Sequence, residues 1–273
     1  MAKKKAVTKS SVDEELDLIR KERDSILNFK INFKCKTKHQ KEFLKSIYDH
    51  EITIVKGPAG SGKSYVSVYA ALDLLKNSAD NGYEKIIFIY PVATNPDENI
   101  GYLKGDLQQK LEPYKEADFY TMEKIFNASG KNGKEVVQKL VDAGKIEVKS
   151  SQFLRGNNID NAIVIVSEAQ NFGRDTFLKI LTRIGTNSRY IFNSDELQLD
   201  SISLKSGKNQ KGLQYAIEKL SDMDEIGIVE FGLEDVVRND LIPGILKRWL
   251  PEVYGDLDEE EISKKSKQER LDE

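Results

Sequence analysis

The chain has 273 residues, a length that α/β folds often build into one continuous core. Its formal net charge of −3 argues against a generally basic nucleic-acid-binding surface, although a local basic groove stays open. One cysteine and two histidines exclude an internal disulfide framework and a Cys/His zinc cluster. The sequence has no run of 18 apolar residues and no apolar segment behind its basic N-terminus, so we expect a cytoplasmic protein without a membrane partner.

Helical patterns alternate with short apolar runs along the chain. The pattern predicts helices over 12–28, 39–48, 65–76, 119–126, 133–143, 175–184, 212–220 and 241–249. It predicts strands over 52–55, 85–89, 146–148, 162–166, 190–192 and 226–231. This alternation predicts an α/β fold with a doubly wound, mostly parallel sheet and helices on both faces. In such sheets, ligands bind beyond the carboxyl ends of the strands.

Composition divides the chain into three parts. Residues 1–36 are predicted to be a basic leader with an N-terminal helix, and residues 37–255 the main folded domain. Charge dominates from 256 to 273, where we expect a solvated tail. Prolines and glycines between residues 91 and 115 predict mostly loop with short helical pieces.

The segment directly after the first predicted strand matches the pattern G-x-x-x-x-G-K-S/T in full. It consists of Gly57, Pro58, Ala59, Gly60, Ser61, Gly62, Lys63 and Ser64. Glycines let backbone N–H groups turn towards phosphate oxygens, Lys63 supplies a positive charge for the β- and γ-phosphates, and Ser64 can ligate Mg²⁺. A chance match in a glycine-rich turn is the alternative, but a strand before the loop and a helix after it favour a P-loop. The sequence therefore predicts a site for ATP with Mg²⁺.

A second polar segment follows the most hydrophobic predicted strand, 162–166. Glu168 is the candidate to orient or deprotonate an attacking water, and Gln170 to contact that water or the γ-phosphate. Ser167 stands where an aspartate normally supports Mg²⁺; a serine can hold a metal-bound water but brings no charge. The alternative is that Glu168 only caps the next helix.

In their order and spacing, these motifs resemble the PhoH-like ATPases, whose core is similar to that of superfamily 1 helicases. The resemblance covers roughly residues 37–249. Besides the P-loop, it extends over Thr37-Lys38-His39-Gln40, residues 100–107, 153–156, 168–171 and 181–185, Asn193-Ser194-Asp195, Gln198 and Asp235-Val236-Val237-Arg238.

The resemblance implies roles for further residues. Gln40 corresponds to a glutamine that reads adenine, and Asp195 would share metal or water positioning with Ser64, Ser167 and Glu168. Arg183 and Arg238 become candidates to neutralise the γ-phosphate, one of them from a neighbouring subunit. A surface or helix-end ion pair is the alternative for each arginine. The resemblance also implies a homo-oligomer, with a ring suspected.

Three positions depart from the family's pattern. Ser167 replaces the first residue of Asp-Glu-Ala-Gln, Ser194 replaces a glycine before Asp195, and Tyr90 replaces the arginine of an Arg-Pro pair. Because Ser167 removes a carboxylate, hydrolysis and nucleotide binding without hydrolysis both stay open.

Nucleic-acid contacts have a weaker basis in the sequence. Lysines alternate with Phe29, Phe33 and Phe43 between residues 29 and 45, a pattern that single-strand binding proteins use. Buried rings beside solvent-facing lysines are the alternative. Further candidates are Arg155 and the lysines between 205 and 211.

Two main functions follow from these patterns together with the resemblance to the PhoH-like ATPases. The first is an ATPase that acts on RNA or single-stranded DNA as a helicase-like motor. The second is a nucleotide-dependent assembly switch with little or no hydrolysis. A small-molecule kinase fits the residues near Asp195 and Gln198 less well, and no separate acidic or histidine cluster indicates a nuclease centre.

Overall fold

The computed structural model describes residues 26–91, 107–154, 156, 158–195 and 212–254. The helices are α1 (Lys38–Asp49), α2 (Lys63–Lys76), α3 (Ser78–Asn81), α4 (Leu107–Ala128), α5 (Gly133–Asp142), α6 (Arg174–Leu181), α7 (Gly212–Leu220), α8 (Leu241–Trp249) and α9 (Pro251–Tyr254). The strands are β1 (Ile52–Lys56), β2 (Lys85–Tyr90), β3 (Ile146–Ser150), β4 (Ala162–Val166), β5 (Ser188–Ser194) and β6 (Ile226–Glu230). Single 3₁₀ turns cover Ser151–Phe153, Ala169–Asn171 and Leu233–Asp235.

The six strands form one sheet in the order β3-β2-β4-β5-β1-β6, and every described pair is parallel. This confirms the predicted α/β fold with a doubly wound sheet. At the carboxyl edge, Lys56 of β1 pairs with Ser194 of β5, and Val166 of β4 pairs with Phe192 of β5. The segments that follow β1, β4 and β5 therefore meet at one edge of the sheet.

Apolar side chains cover both faces of this sheet. Neighbouring residues of one strand enter different clusters, because successive side chains point to opposite faces. Ile54 packs with Phe192 and Phe177 on one face, whereas Val55 packs with Val66 and other residues on the opposite face. Strand β4 is buried along its whole length, as its continuous apolar run predicts.

Helix α4 differs from the prediction of mostly loop between residues 91 and 115. It begins at Leu107 and continues through Pro113 to Ala128 as one helix of 22 residues. A proline inside a helix removes a hydrogen bond and costs about 3 kcal/mol. The buried stripe of Met122, Ile125 and Phe126 offsets that cost by packing into the main core. The predicted helix over 119–126 is the second half of α4.

The packed core includes residues before position 37, where we placed the main domain's start. Leu27, Phe29 and Ile31 are buried in the same cluster as the sheet. Most of the predicted helix over 12–28, and the tail after residue 254, lie outside the described residues. Among the described residues, no helix is both long and apolar enough to cross a membrane.

Candidate nucleotide-binding site

The P-loop connects β1 to α2 in a backbone conformation that needs glycine. Gly57, Gly60 and Gly62 have positive φ angles of 148°, 86° and 90°. Residues other than glycine rarely adopt such backbone conformations. A Cβ at Gly57 would lie 2.5 Å from the Cβ of Phe231, and one at Gly62 would lie 2.8 Å from the Gln40 amide nitrogen. The P-loop therefore packs closely against Phe231 and Gln40, and these contacts leave no room for a side chain at Gly57 or Gly62.

Lys63 lies at the first position of α2 and is 8% exposed. Its ammonium donates hydrogen bonds to the carbonyls of Gly57 at 2.7 Å and Pro58 at 2.8 Å. Burial lowers the pKa of Lys63 to about 8, while the carboxylates of Asp195 and Glu168 oppose this shift. The start of α2 adds backbone N–H groups and the positive end of a helix dipole. This arrangement suits phosphate oxygens.

Glu168, Gln170 and Asp195 form a connected group at the carboxyl edge of the sheet. Glu168 has φ 55° and ψ 42°, a left-handed conformation that is uncommon outside glycine and often marks a functional position. The Gln170 side chain donates to the Glu168 carboxylate at 2.6 Å and accepts from the Asp195 backbone N–H at 3.0 Å. The structure thus brings together three of the residues that the sequence placed in one site.

Ser167 contacts a carboxylate that sequence reasoning missed. Its hydroxyl donates to Asp118 Oδ2 at 2.8 Å, and the Tyr90 hydroxyl donates to the same oxygen at 2.8 Å. Asp118 lies on α4 and is 5% exposed. Burial raises the pKa of its carboxyl group to about 6, and the two hydrogen bonds oppose this rise.

A sequence signal for Asp118 does exist in hindsight. Asp118, Met122 and Ile125 follow helical spacing, so the carboxylate falls on the apolar stripe of α4. Charged groups in such positions are rarely buried unless they are paired. The predicted loop before residue 115 hid this pattern.

Gln40 is buried in α1 and bonded to the P-loop. Its amide donates to the Ser61 carbonyl at 2.9 Å and accepts from the Lys36 backbone N–H at 2.7 Å. Thr37 caps the helix by accepting from the Gln40 backbone N–H. Because a glutamine amide has two N–H groups and two lone pairs, capacity for a base remains. Adenine recognition by Gln40 stays a prediction.

Arg238 lies beside the P-loop. The Val237 backbone N–H donates to the Gly60 carbonyl at 3.0 Å, and a Cβ at Gly60 would lie 3.1 Å from the Arg238 Cβ. Arg238 also contributes to lowering the pKa of Lys63, as a nearby positive charge does. Its position fits a contact with phosphate from within the same chain.

Arg183 lies at the other edge of the sheet. Its carbonyl accepts from the Ile159 N–H at 2.8 Å, and its guanidinium donates to the Gly156 carbonyl at 3.1 Å. Both partners precede β4, whereas the P-loop follows the carboxyl end of β1. A strand of five residues spans roughly 16 Å. Arg183 therefore lies roughly one strand length from the phosphate cradle of its own chain. A role in a neighbouring subunit's site, which the resemblance implies for one of the two arginines, stays a prediction.

The P-loop, the Glu168 group and part of α4 surround one pocket of about 960 Å³. Ser64 and Ser167 both line it, together with Glu168 and Asp195, so the predicted metal ligands share one cavity. Asn193 and Ser194 also line it, and the buried Asn193 Nδ2 and Ser194 Oγ have no hydrogen-bond partner in the structure. A pocket with a glycine cradle, a lysine, hydroxyls, carboxylates and unsatisfied polar atoms fits a triphosphate with Mg²⁺.

The predicted nucleic-acid residues separate into two groups. Phe29 packs edge-on against Phe126, and Phe43 against Phe231, so these two rings lie in the core and are not stacking platforms. Phe33 is only half-buried and lines the pocket. The alternating lysines are exposed, as either interpretation requires. Arg155, Gln198 and the lysines between 205 and 211 lie outside the described residues.

The parallel sheet and the cradle at the end of β1 define a P-loop nucleotide-binding protein. The family model described as PhoH-like protein matches residues 32–249 of this chain. The chain therefore belongs to the PhoH-like protein family. This confirms the resemblance that the motifs indicated.

Named relatives agree with this assignment. A PhoH-like protein of Synechocystis sp. is 32% identical over 79% of this chain and 62% of its own length. One of Bacillus subtilis is 32% identical over 80% and 64%, and Protein PhoH of Escherichia coli K12 is 33% identical over 74% and 54%. The chain thus spans less than two thirds of these relatives. A solved structure, the UvsW helicase of bacteriophage T4, is similar at 16% identity and a TM-score of 0.36, over 78% of this chain and 67% of that one.

Proposed function

We propose that the protein binds ATP with Mg²⁺ in this pocket and hydrolyses it. The observation that supports the proposal most is the convergence of four segments on one cavity: the P-loop, the Glu168 turn, Asp195 and Arg238. These four segments follow four different strands, β1, β4, β5 and β6. A structural role for any one segment therefore does not explain why all four line the same cavity. Such convergence at the carboxyl edge of a parallel sheet is typical of nucleotide sites.

Each residue has a role that its position permits. The P-loop backbone and Lys63 hold the phosphates, and Arg238 adds positive charge where negative charge builds up during transfer. Glu168 orients the attacking water and accepts its proton, while Gln170 fixes the Glu168 carboxylate by the bond of 2.6 Å. Mg²⁺, when bound, neutralises phosphate charge, and Ser64, Ser167, Glu168 and Asp195 are the residues that would hold it or its waters.

The second candidate function is a nucleotide-dependent assembly switch that hydrolyses little or no ATP. Ser167 favours it, because β4 ends without the carboxylate that normally supports the metal. The phosphate cradle does not depend on that carboxylate, so binding would persist while turnover fell. Turnover separates the two functions.

RNA or single-stranded DNA is the partner that we propose for the hydrolysing form, and a homo-oligomeric ring its assembly. Phe33 supports a nucleic-acid contact, since its half-buried ring, which packs against Tyr65 and Tyr69, borders the pocket together with exposed Lys34 and Lys36. A ring would give Arg183, which lies far from its own cradle, a site in the next subunit. Both proposals rest on the family resemblance and on these positions.

The experiment that tests hydrolysis is steady-state phosphate release from ATP and Mg²⁺, with and without single-stranded RNA. We expect turnover that RNA raises, and a Glu168→Gln variant that binds ATP but loses at least 100-fold in rate, the usual scale for a general base. Glutamine preserves the size of the side chain and can still accept from Gln170. Glu218→Gln on α7, an exposed position, is the matched control.

Unchanged turnover in Glu168→Gln would remove Glu168 from catalysis. Tight binding without turnover in the wild-type protein, with or without RNA, would favour the switch. In that case, sedimentation with and without ATP would show whether the nucleotide controls assembly.

A further inference from the structure

Asp118 belongs to no motif that the sequence indicated, yet it lies in the wall of the nucleotide pocket. We propose that Asp118 supplies from helix α4 the negative charge that strand β4 lacks, and that it acts on the Mg²⁺ site through the Ser167 hydroxyl. Asp118 is thus a positioning residue. This inference rests on the proposed binding of ATP with Mg²⁺.

The contacts converge on one oxygen. Asp118 Oδ2 accepts from Ser167 Oγ and from the Tyr90 hydroxyl, each at 2.8 Å. Asp118 and Ser167 are 5% and 9% exposed, so water competes little for these bonds. Tyr90 ends β2, and Ser167 directly follows the neighbouring strand β4. Side chains at the ends of two adjacent strands therefore share one carboxylate.

The direction of the hydrogen bond between Ser167 and Asp118 explains how the carboxylate charge influences the Ser167 oxygen. Ser167 donates its only proton to Asp118, so the serine oxygen keeps its lone pairs as acceptors. A hydroxyl that donates to a carboxylate becomes a stronger acceptor, because charge-assisted hydrogen bonds polarise the donor. Ser167 lines the same pocket as Ser64. Carboxylates behind a metal ligand commonly tune the metal in this way.

A purely structural role is the competing explanation, since Asp118 also joins α4 to β2 and β4. Burying a carboxylate for that purpose alone is costly, because a neutral acceptor would serve both hydroxyl donors. Asparagine at this position keeps one carbonyl oxygen and the size of the side chain but removes the charge. The response of the metal to Asp118→Asn therefore distinguishes charge from structure.

The test is the affinity for a fluorescent ATP analogue, titrated once in EDTA and once over a range of Mg²⁺ concentrations. In Asp118→Asn we expect affinity in EDTA to stay within about twofold of wild type. We expect the Mg²⁺ concentration at half-effect to rise roughly tenfold or more, the usual cost of losing a group behind a metal ligand. Asp80→Asn, exposed on α3, is the matched control.

Two further variants sharpen the test, and the first of them keeps the inference testable if Asp118→Asn does not fold. Ser167→Ala removes the link and leaves Asp118 intact, and it should raise the Mg²⁺ requirement to a similar extent. The double variant Asp118→Asn with Ser167→Asp moves the charge back to β4 and should restore the wild-type requirement. A merely structural Asp118 would give no such rescue.

The outcomes separate this inference from the function beneath it. If wild-type protein does not bind the analogue at any Mg²⁺ concentration, the proposed function itself fails. If it binds with Mg²⁺ dependence, and Asp118→Asn or Ser167→Ala keeps that dependence, Asp118 does not act on the metal site and the inference is overturned.

Discussion

Lys63 is a cation that the fold has already desolvated. With its ammonium bonded to two P-loop carbonyls and 8% exposed, little conformational freedom is left to lose when phosphate binds. We expect Lys63→Ala to weaken the binding of ATP with Mg²⁺ at least tenfold, because it removes a charge-assisted contact from a buried site. Isothermal titration calorimetry measures this change.

Lys76→Ala provides the control for that variant. Lys76 ends the same helix, α2, but is exposed. Its removal should leave ATP affinity unchanged. Equal affinity in Lys63→Ala and wild type would mean that the phosphates bind elsewhere.

Single residues were predictable where a local pattern specifies them. The P-loop is a run of eight consecutive residues whose pattern by itself predicts phosphate binding. The Glu168 turn directly follows a strand that the sequence also predicts. Asp118 was not predictable in this way, because its partner Ser167 is 49 positions away in sequence. For Arg183 a motif indicated the role, but only the fold shows that the residue lies at the opposite edge of the sheet from its own P-loop.

At the scale of elements, a side-chain contact joins helix α1 to the 3₁₀ turn Leu233–Asp235, which precedes Arg238. Asp235 in that turn is fully buried, accepts from the Gly232 N–H at 2.8 Å and lies 2.7 Å from His39 Nδ1 of α1. We expect Asp235→Ala to lower the free energy of unfolding by about 1–3 kcal/mol, because both partners lose their hydrogen bond. Urea denaturation measures the loss.

The control for this prediction is Asp240→Ala, an exposed aspartate next to α8 that makes no side-chain cap bond. It should change stability by no more than about 0.5 kcal/mol. We also expect Asp235→Ala to weaken ATP binding, since Val237, which follows this turn, donates a hydrogen bond to the Gly60 carbonyl of the P-loop. Wild-type stability in Asp235→Ala would show that α1 and the turn are held by apolar packing alone.

Among the elements, the strands and most helices were predictable and α4 was not. Short β-branched runs such as 162–166 leave little choice, because only a buried strand satisfies so apolar a segment. For α4, the helix-breaking effect of Pro113 outweighed the apolar stripe that follows it in a local reading. In the folded protein, packing of Met122, Ile125 and Phe126 into the main core stabilises the helix despite the proline. Tertiary burial is not visible in a window of sequence.

For the whole molecule, ligand binding and stability are linked. The pocket is built from segments that follow β1, β4, β5 and β6, so a ligand that fills it ties both halves of the sheet together. A ligand that binds only the folded state adds about 2.7 kcal/mol of stability at 100 times its Kd. For a protein of this size, that corresponds to a rise in Tm of roughly 5–10 °C.

We therefore expect ATP with Mg²⁺ to raise Tm by this amount in wild type and in Glu168→Gln, which keeps the cradle, and to raise Tm of Lys63→Ala by at most about half as much, because its affinity is at least tenfold lower. Differential scanning fluorimetry at several ATP concentrations measures the shift, and EDTA shows how much of it depends on the metal. A rise in wild type and Lys63→Ala alike would point to binding outside the P-loop. A rise in wild type that Glu168→Gln lacks would show that the charge of Glu168 is needed to hold the nucleotide and its metal, besides any role at the attacking water.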